Sequence, residues 1–279
     1  MKQITISMLK AYEEFLRQEE RGMATITKYI CDVQDFSVWI GEQAVTKDNA
    51  AAWKAHLQEA GYAVTTINAK LSALNGFFRF AGWEECRVRL LKVQRRIFCS
   101  ESRELTVQEY EQLVRTAQAL GRERLALLME AVCATGVRVS EIRYLTVEAA
   151  RQGKAEIALK GKIRTILLPV KLCKKLLKYA KKQKIVSGEI FLTKNGSSLS
   201  RKQIWAEMKA LCCEAGVDPD KVFPHNLRHL FARVFYKANQ DIVLLADILG
   251  HSSIETTRIY LISTGAEHRR RLDKLGLVS

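Results

Sequence analysis

A group of cationic side chains and one phenol lies within residues 225–260, which read HNLRHLFARVFYKANQDIVLLADILGHSSIETTRIY. His225 and Arg228 are three residues apart, His251 comes later in the stretch, and Tyr260 follows it by nine residues. Cationic groups beside a hydroxyl suggest chemistry on an anion, because they donate charge-assisted hydrogen bonds to anionic oxygens. Apolar residues at helical spacing predict a helix that buries one face and has His225 and Arg228 near its start. They are Leu227, Leu230, Phe231, Val234 and Phe235.

A second arginine lies upstream in the segment CATGVRVSEI. A helix is predicted to end near Thr135 and Gly136, so that Arg138 projects from a tight turn and Ser140 caps the next short helix. An arginine in such a turn offers a rigid fork of donors for two oxygens of one phosphate, and Glu141 is in position to support it. An ordinary connection between two helices is the alternative interpretation of this segment taken alone.

Other polar residues near these positions have simpler interpretations. His229 directly follows Arg228 and is expected to point elsewhere on the helix, in a structural or supporting role. Tyr236 lies in an aromatic helical run, which is typical of core packing. A metal site is rejected, because arginine repels a cation and no carboxylate lies at ligand spacing. Seven cysteines without a CxxC pair support neither a zinc site nor a disulfide framework.

The composition indicates a polyanionic partner. The formal charge is +15 and the isoelectric point is about 9.6, which favours nucleic acid over an anionic membrane. Residues 1–98 carry 14 Lys and Arg against 11 Asp and Glu, or +3, and the remainder carries 31 against 19, or +12. No apolar run approaches the roughly 18 residues of a membrane span, and charged residues come too early for a signal peptide. We therefore expect a cytoplasmic protein that does not bind membranes.

The N-terminal third predicts a compact helical bundle. Apolar residues at helical spacing and intervening glycines indicate four helices, at about 7–20, 25–40, 47–60 and 65–80. We predict a DNA-binding domain over residues 1–89 and an interdomain linker over 90–103. Arg95 and Arg96 in that linker are candidate DNA contacts.

The second domain, 104–279, opens with a capping box from Thr106 to Glu109. The segment KAEIALKGKIRTILLP alternates about a Lys-Gly pair and predicts a β-hairpin with a basic turn. The other elements are predicted as helices, so the fold class is mainly α with a small antiparallel sheet. These helices lie at about 106–119, 123–134, 140–145, 171–183, 200–214, 225–238, 241–249, 253–260 and 265–275.

The helix after Pro169 carries lysines at i+3 or i+4 spacing. Like charges stacked in this way repel one another, so such a face suits a phosphate backbone, although a solvated lysine face is an equally good interpretation. Candidate DNA contacts on this helix and at the hairpin turn are Lys162, Arg164, Lys171, Lys174, Lys175 and Lys178.

The motifs TGVRVSE, the basic hairpin turn, HNLRH and LGH, followed by a tyrosine nine residues on, together resemble the tyrosine recombinase family, or phage-type integrases, in its compact Xer-like form. The resemblance implies that Arg138, His225, Arg228 and His251 activate a DNA phosphodiester and that Tyr260 attacks it. It also matches Glu141 to a supporting acidic residue. Lys160 is preferred over Lys162 as the lysine that protonates the departing 5′ oxygen.

Within that resemblance, the two arginines neutralise the non-bridging phosphate oxygens, so no metal or other cofactor is required. His225 acts as general base or shares its proton with Tyr260, and His251 donates a hydrogen bond to the phosphate. The implied activity is site-specific recombination through a 3′-phosphotyrosyl link, by a homo-tetramer on two double-stranded DNA sites. Residues 264–279 are expected to dock on a neighbouring subunit in a cyclic arrangement. A catalytically silent DNA-binding protein and a type IB topoisomerase-like enzyme are the alternatives.

Overall fold

The computed structural model describes residues 2–93, 104–159, 162–251, 253–258, 260 and 273. The chain divides into two compact units, Met1–Arg95 and Arg96–Ser279. In the described part of the chain, no helix is both long and apolar enough to cross a membrane.

The first unit confirms the predicted bundle. Its helices are α1 (Ile6–Gln18), α2 (Met23–Ile40), α3 (Lys47–Glu59) and α4 (Val64–Phe80), and a short 3-10 helix follows at Glu84–Cys86. Threonine side chains cap α1 and α3 by accepting a backbone N–H from the first turn. The core is rich in aromatic rings, and the Tyr12 ring lies edge-on to Phe77 at a centroid distance of 5.3 Å.

The second unit is helical around one hairpin. In order it contains α5 (Val107–Ala119), α6 (Glu123–Thr135), a 3-10 helix (Val139–Tyr144), α7 (Val147–Gln152), β1 (Lys154–Leu159), β2 (Lys162–Leu167), α8 (Val170–Lys182), α9 (Arg201–Ala215), a 3-10 helix (Pro219–Lys221), α10 (Pro224–Asn239), α11 (Ile242–Leu249) and α12 (Ile254–Arg258). The antiparallel strands pair from Lys154 with Leu167 to Leu159 with Lys162. The predicted fold class, mainly α with a small antiparallel sheet, is therefore confirmed.

Several elements differ from the sequence expectations. The short helix expected at about 140–145 with Ser140 as its cap is a 3-10 helix, Val139–Tyr144, whose N-cap is Arg138, because the Glu141 carboxylate accepts the backbone N–H of Arg138. The six-residue helix α7 was not predicted, because it is shorter than two turns and shows no clear apolar period, although Thr146 caps its start and Gly153 ends it in the left-handed region. The helix expected at about 253–260 is shorter, Ile254–Arg258. The helix expected at about 265–275 lies outside the described residues apart from Asp273.

Candidate active site

The turn after α6 has room only for glycine. Gly136 ends the helix at a φ of 63°, in the left-handed region, and a Cβ there would lie 2.5 Å from Phe231 Cδ1 on α10. The close packing of this turn on α10 allows the Gly136 carbonyl to accept a hydrogen bond from the Arg228 guanidinium. The same turn therefore presents Arg138 and holds Arg228.

Arg138 is held by the carboxylate of Glu141. Its backbone N–H donates to Glu141 Oε2 at 2.9 Å and its Nη1 donates to Oε1 at 2.8 Å. Its Nη2 donates to the Gly250 carbonyl at 2.9 Å. The Glu141 side chain is only 4% exposed, whereas the Arg138 side chain is 38% exposed. Hydrogen bonds thus hold Arg138 in place, while part of its side chain remains exposed to a ligand.

Arg228 lies at the centre of the site and is 1% exposed. Besides the Gly136 carbonyl, its guanidinium donates to the Leu249 carbonyl at 2.7 Å and to His251 Nε2 at 2.9 Å. Burial and then the charge of Arg138 lower the pKa of Arg228 to about 10. That value is still well above neutrality, so Arg228 remains a buried cation.

The contacts of His251 define its tautomer. A guanidinium only donates, so Nε2 of His251 accepts from Arg228, and its Nδ1–H donates to Thr257 Oγ1 at 2.8 Å. Thr257 is fully buried on α12. Burial and then the charge of Arg228 lower the pKa of His251 to about 4, so the imidazole is neutral at pH 7 in the absence of a ligand.

Tyr260 lies among three imidazoles. The ring centroid of Tyr260 is 4.2 Å from that of His229, 5.4 Å from that of His251 and 5.7 Å from that of His225. Tyr260 is 6% exposed and belongs to a small buried cluster with Ala232, Leu245 and Leu249. Its phenol is close enough to the Arg228 guanidinium to offset part of the lowering of the Arg228 pKa. The structure therefore brings the phenol, the imidazoles and the buried arginine together within one chain.

His225 and His229 form one face of α10. They are four residues apart, and their rings meet edge to face at a centroid distance of 4.6 Å. Partial burial and then the charges of Arg228 and Arg138 lower the pKa of His225. Burial, followed by the neighbouring His225, lowers the pKa of His229 to about 3. Both imidazoles are neutral at pH 7.

The expectation that His229 points elsewhere is wrong. Adjacency to Arg228 suggests a different helix face, whereas the spacing of four residues from His225 is the signal that places both rings on one side of a helix. His229 packs directly against Tyr260, so it contacts the centre of the site.

Arg164 is not at the surface, contrary to the interpretation of this residue as a DNA contact. Its side chain is 11% exposed. Its Nη1 donates to Glu141 Oε2 at 3.0 Å and its Nη2 donates to the Ile248 carbonyl at 2.6 Å. The physical reason is strand alternation: Arg164 shares a face of β2 with the buried Ile166.

The remaining candidates fall into two groups. Lys160, Arg95 and Arg96 lie outside the described residues, and Lys162 is the first residue of β2. The lysines on α8 are exposed opposite the buried Leu172, Leu176 and Ala180. Two of them form ion pairs at 2.6 Å, Lys175 with Glu130 and Lys182 with Glu123. The candidates in this exposed group are Lys171, Lys174, Lys175 and Lys178, and Lys181 and Lys182 on the same helix are also exposed.

Comparison with known proteins identifies the relatives of both units. The family described as the phage integrase family matches residues 103–267, and the phage integrase N-terminal SAM-like domain matches residues 9–85. Tyrosine recombinase XerA of Pyrococcus furiosus is 29% identical over 287 residues, which cover 99% of this chain and 96% of the relative.

Solved structures share the fold. XerH recombinase bound to its difH substrate before cleavage matches with a TM-score of 0.68 and 21% identity, over 96% of this chain and 84% of that chain. A lambda integrase tetramer bound to a Holliday junction matches with a TM-score of 0.72 and 20% identity, over 91% of this chain and 76% of that one.

Proposed function

We propose a chemical mechanism for this site from the premise that the chain belongs to the phage integrase family. The chain is a tyrosine recombinase, an enzyme of site-specific DNA recombination that breaks and rejoins DNA strands. The observation that carries the mechanism is the packing of Tyr260 among His225, His229 and His251, beside the buried Arg228.

The proposed nucleophile is the phenol oxygen of Tyr260. It attacks the phosphorus of the scissile phosphodiester, so a phosphotyrosyl bond to the 3′ side forms and the bond to the 5′ oxygen breaks. The phenol loses its proton and the departing 5′ oxygen gains one. Rejoining is the same step in reverse with the 5′ hydroxyl of a partner strand, so the bond energy is conserved and no nucleotide hydrolysis is needed.

Charge neutralisation falls to the arginines. The described side chains of the site include Arg138, Arg164 and Arg228 but one carboxylate, Glu141. The negative charge on the non-bridging oxygens grows in the transition state. The pre-oriented guanidinium of Arg228 and the exposed part of Arg138 are able to donate hydrogen bonds to these oxygens and neutralise that charge. We therefore assign the phosphate clamp to Arg138 and Arg228, with Glu141 as the support of Arg138.

Proton transfer is assigned to the histidines and to a hairpin lysine. His225 is neutral at pH 7 because its pKa is lowered, so it is able to accept the Tyr260 proton as general base. The hydrogen bond to Thr257 orients His251 so that its Nε2 faces Arg228. A bound phosphate favours protonation of Nε2, and the Nε2–H then donates a hydrogen bond to the phosphate. The proposed general acid is Lys160, with Lys162 as the alternative.

The proposed assembly is a homo-tetramer bound to two double-stranded DNA sites. The DNA partner is supported by solved relatives on DNA sites and by the net charge of +15. A homo-tetramer on two sites is supported by the lambda integrase tetramer bound to a Holliday junction. We propose that residues 264–279 provide the cyclic contact between subunits, and that the domains 1–89 and 104–279, joined by the linker 90–103, both bind the DNA.

The decisive experiment traps the covalent adduct. The binding site is first selected from a random duplex library, and a nicked suicide substrate containing that site is then incubated with enzyme. Wild type is expected to form a covalent protein–DNA adduct that survives denaturing electrophoresis, and Tyr260→Phe is expected to form none. Tyr236→Phe removes a hydroxyl from the same aromatic cluster and is the matched control, expected to react like wild type.

The other outcomes discriminate between functions. Adduct formation by Tyr260→Phe would exclude Tyr260 as the nucleophile. Tight, sequence-specific binding without an adduct in wild type would indicate a silent DNA-binding protein. Relaxation of supercoiled DNA that lacks the selected site would indicate a topoisomerase-like activity.

A further inference from the structure

Arg164 extends from the hairpin into the polar centre of the catalytic unit. Its Nη1 lies 3.0 and 3.3 Å from the two oxygens of Glu141, and its Nη2 donates to the Ile248 carbonyl at 2.6 Å. Glu141 is 3% exposed, and Leu249 at the end of α11 is fully buried. Arg164 thus joins β2 to two other elements, the 3-10 helix after α6 and the turn after α11.

The turn after α11 is shaped around this arginine. Gly250 has a φ of 62°, and a Cβ at that position would overlap Cδ of Arg164 and lie 2.7 Å from its Nε. The glycine that precedes His251 is therefore needed for two reasons, its left-handed backbone and the passage of Arg164 beside it. The side chain and the turn form one packed unit.

Arg138 and Arg164 close a ring of hydrogen bonds on this turn. Arg138 binds Glu141 Oε1 at 2.8 Å and the Gly250 carbonyl at 2.9 Å. Arg164 binds the same carboxylate and the Ile248 carbonyl. Two guanidinium groups therefore share one carboxylate on one side and one turn on the other. His251 directly follows this turn, so the positions of both Arg138 and His251 depend on these hydrogen bonds.

We propose that Arg164 is a positioning residue for the cleavage reaction: through Glu141 and the Ile248–Gly250 turn it fixes Arg138 and His251 where the scissile phosphate binds. The inference rests on the proposed function. It replaces the role of a DNA contact, because a guanidinium that is enclosed and hydrogen-bonded to Glu141 and Ile248 has little surface to offer a phosphate.

The first test is the substitution Arg164→Met, which keeps the length of the side chain and removes the fork and the charge. Single-turnover cleavage of the suicide substrate is expected to fall by about 10- to 100-fold, the range seen when supporting groups of a catalytic site are removed. Affinity for the uncleaved site is expected to change by less than about 3-fold. Arg115→Met is the matched control, because Arg115 is a 70% exposed partner of Glu111 on α5, and it is expected to cleave like wild type.

A modified substrate separates positioning from a general loss of structure. Replacing one non-bridging oxygen of the scissile phosphate by methyl removes the charge that Arg138 neutralises. The defect of Arg164→Met relative to wild type is expected to shrink on this methylphosphonate, as the defect of Arg138→Ala shrinks. The ratio of rates on the two substrates does not depend on how much of the enzyme is folded, so the test holds for a destabilised variant.

Arg164→Lys provides the second variant. A lysine keeps the charge but has no fork to reach both Glu141 and the Ile248 carbonyl, so it is expected to remain impaired. Full rescue by lysine together with restored salt-dependent binding would identify a phosphate contact instead. Equal defects of Arg164→Met on both substrates, or cleavage equal to wild type, would overturn the inference. Absence of an adduct from wild type would refute the proposed function itself.

Discussion

Replacing His229 with phenylalanine tests whether this imidazole is a neutral packing partner of the Tyr260 ring. In the folded protein, burial lowers the pKa of His229 from 6.5 to about 3. The unfolded chain binds a proton on this histidine below about pH 6.5, whereas the folded chain does so only near pH 3. The free energy of unfolding therefore falls as the pH falls through that window, and His229→Phe is expected to remove this part of the loss.

The size of the effect follows from the linkage of protonation to folding. Between pH 7 and pH 4.5, a shift from 6.5 to about 3 costs the folded state at most about 2.5 kcal/mol. Because the ring is partly accessible to solvent, a loss of about 1–2 kcal/mol is the better expectation. Phenylalanine preserves an edge-to-face contact with Tyr260, so cleavage at pH 7 is expected to stay within about 3-fold of wild type.

Two measurements check this prediction. Nuclear magnetic resonance of the ring Cε1–H groups, with the His229 signal assigned by its absence in the variant, is expected to show no titration of His229 above pH 4.5. Thermal unfolding at pH 7 and at pH 4.5 is expected to show a smaller difference for His229→Phe than for wild type. A His229 signal that titrates near pH 6.5, with equal acid sensitivity of the two proteins, would refute the buried contact with Tyr260.

Two further predictions concern the partner of His251 and the charge of α8. Thr257→Val removes the acceptor of the His251 Nδ1–H, so single-turnover cleavage is expected to fall about 10-fold, the value of one hydrogen bond of about 1.4 kcal/mol. Thr257→Ser is expected to retain activity, and equal activity of the valine variant would show that Thr257 does not orient the imidazole. Replacing three of the exposed lysines of α8 by alanine is expected to reduce the slope of log affinity against log salt by up to about 0.9 for each phosphate that the helix no longer neutralises. An unchanged slope would mean a solvated lysine face. The replaced residues are Lys171, Lys174 and Lys178.

Periodic patterns are sufficient to predict the framework of this protein. The first-unit helices and the hairpin follow from apolar spacing, glycines and caps, because these local signals agree with the tertiary packing. Helix α7 escapes such patterns because six residues give too short a window for a period of 3.6. The motif spacing also singles out Arg138, His225, Arg228, His251 and Tyr260, which the structure brings together.

Side-chain direction is the harder part of the site to predict. A basic hairpin turn suggests a DNA contact for Arg164, although Ile166 two residues later is 3% exposed and faces the same side of β2. The cross-strand partner of Arg164 is Ile157, which is 2% exposed, so the pairing register also places Arg164 on the buried face of the hairpin. Thr257 has no sequence signal, because its hydrogen bond to His251 depends on how α12 packs and not on any local pattern.

The site holds more positive charge than its own carboxylate balances. Burial and the charge of Arg138 lower the pKa of Arg228, and burial lowers the pKa of Arg164, with Glu141 opposing this effect and Arg138 adding to it. Burial and then the guanidinium charges lower the pKa values of His225 and His251, so both imidazoles are neutral at pH 7. A bound phosphate opposes the effect of the guanidinium charges, because an anion between the arginines relieves their repulsion and favours a proton on the imidazoles. In the proposed mechanism, a phosphate bound between Arg138 and Arg228 therefore makes His225 and His251 more basic, and these are the two histidines assigned to exchange protons with Tyr260 and the phosphate.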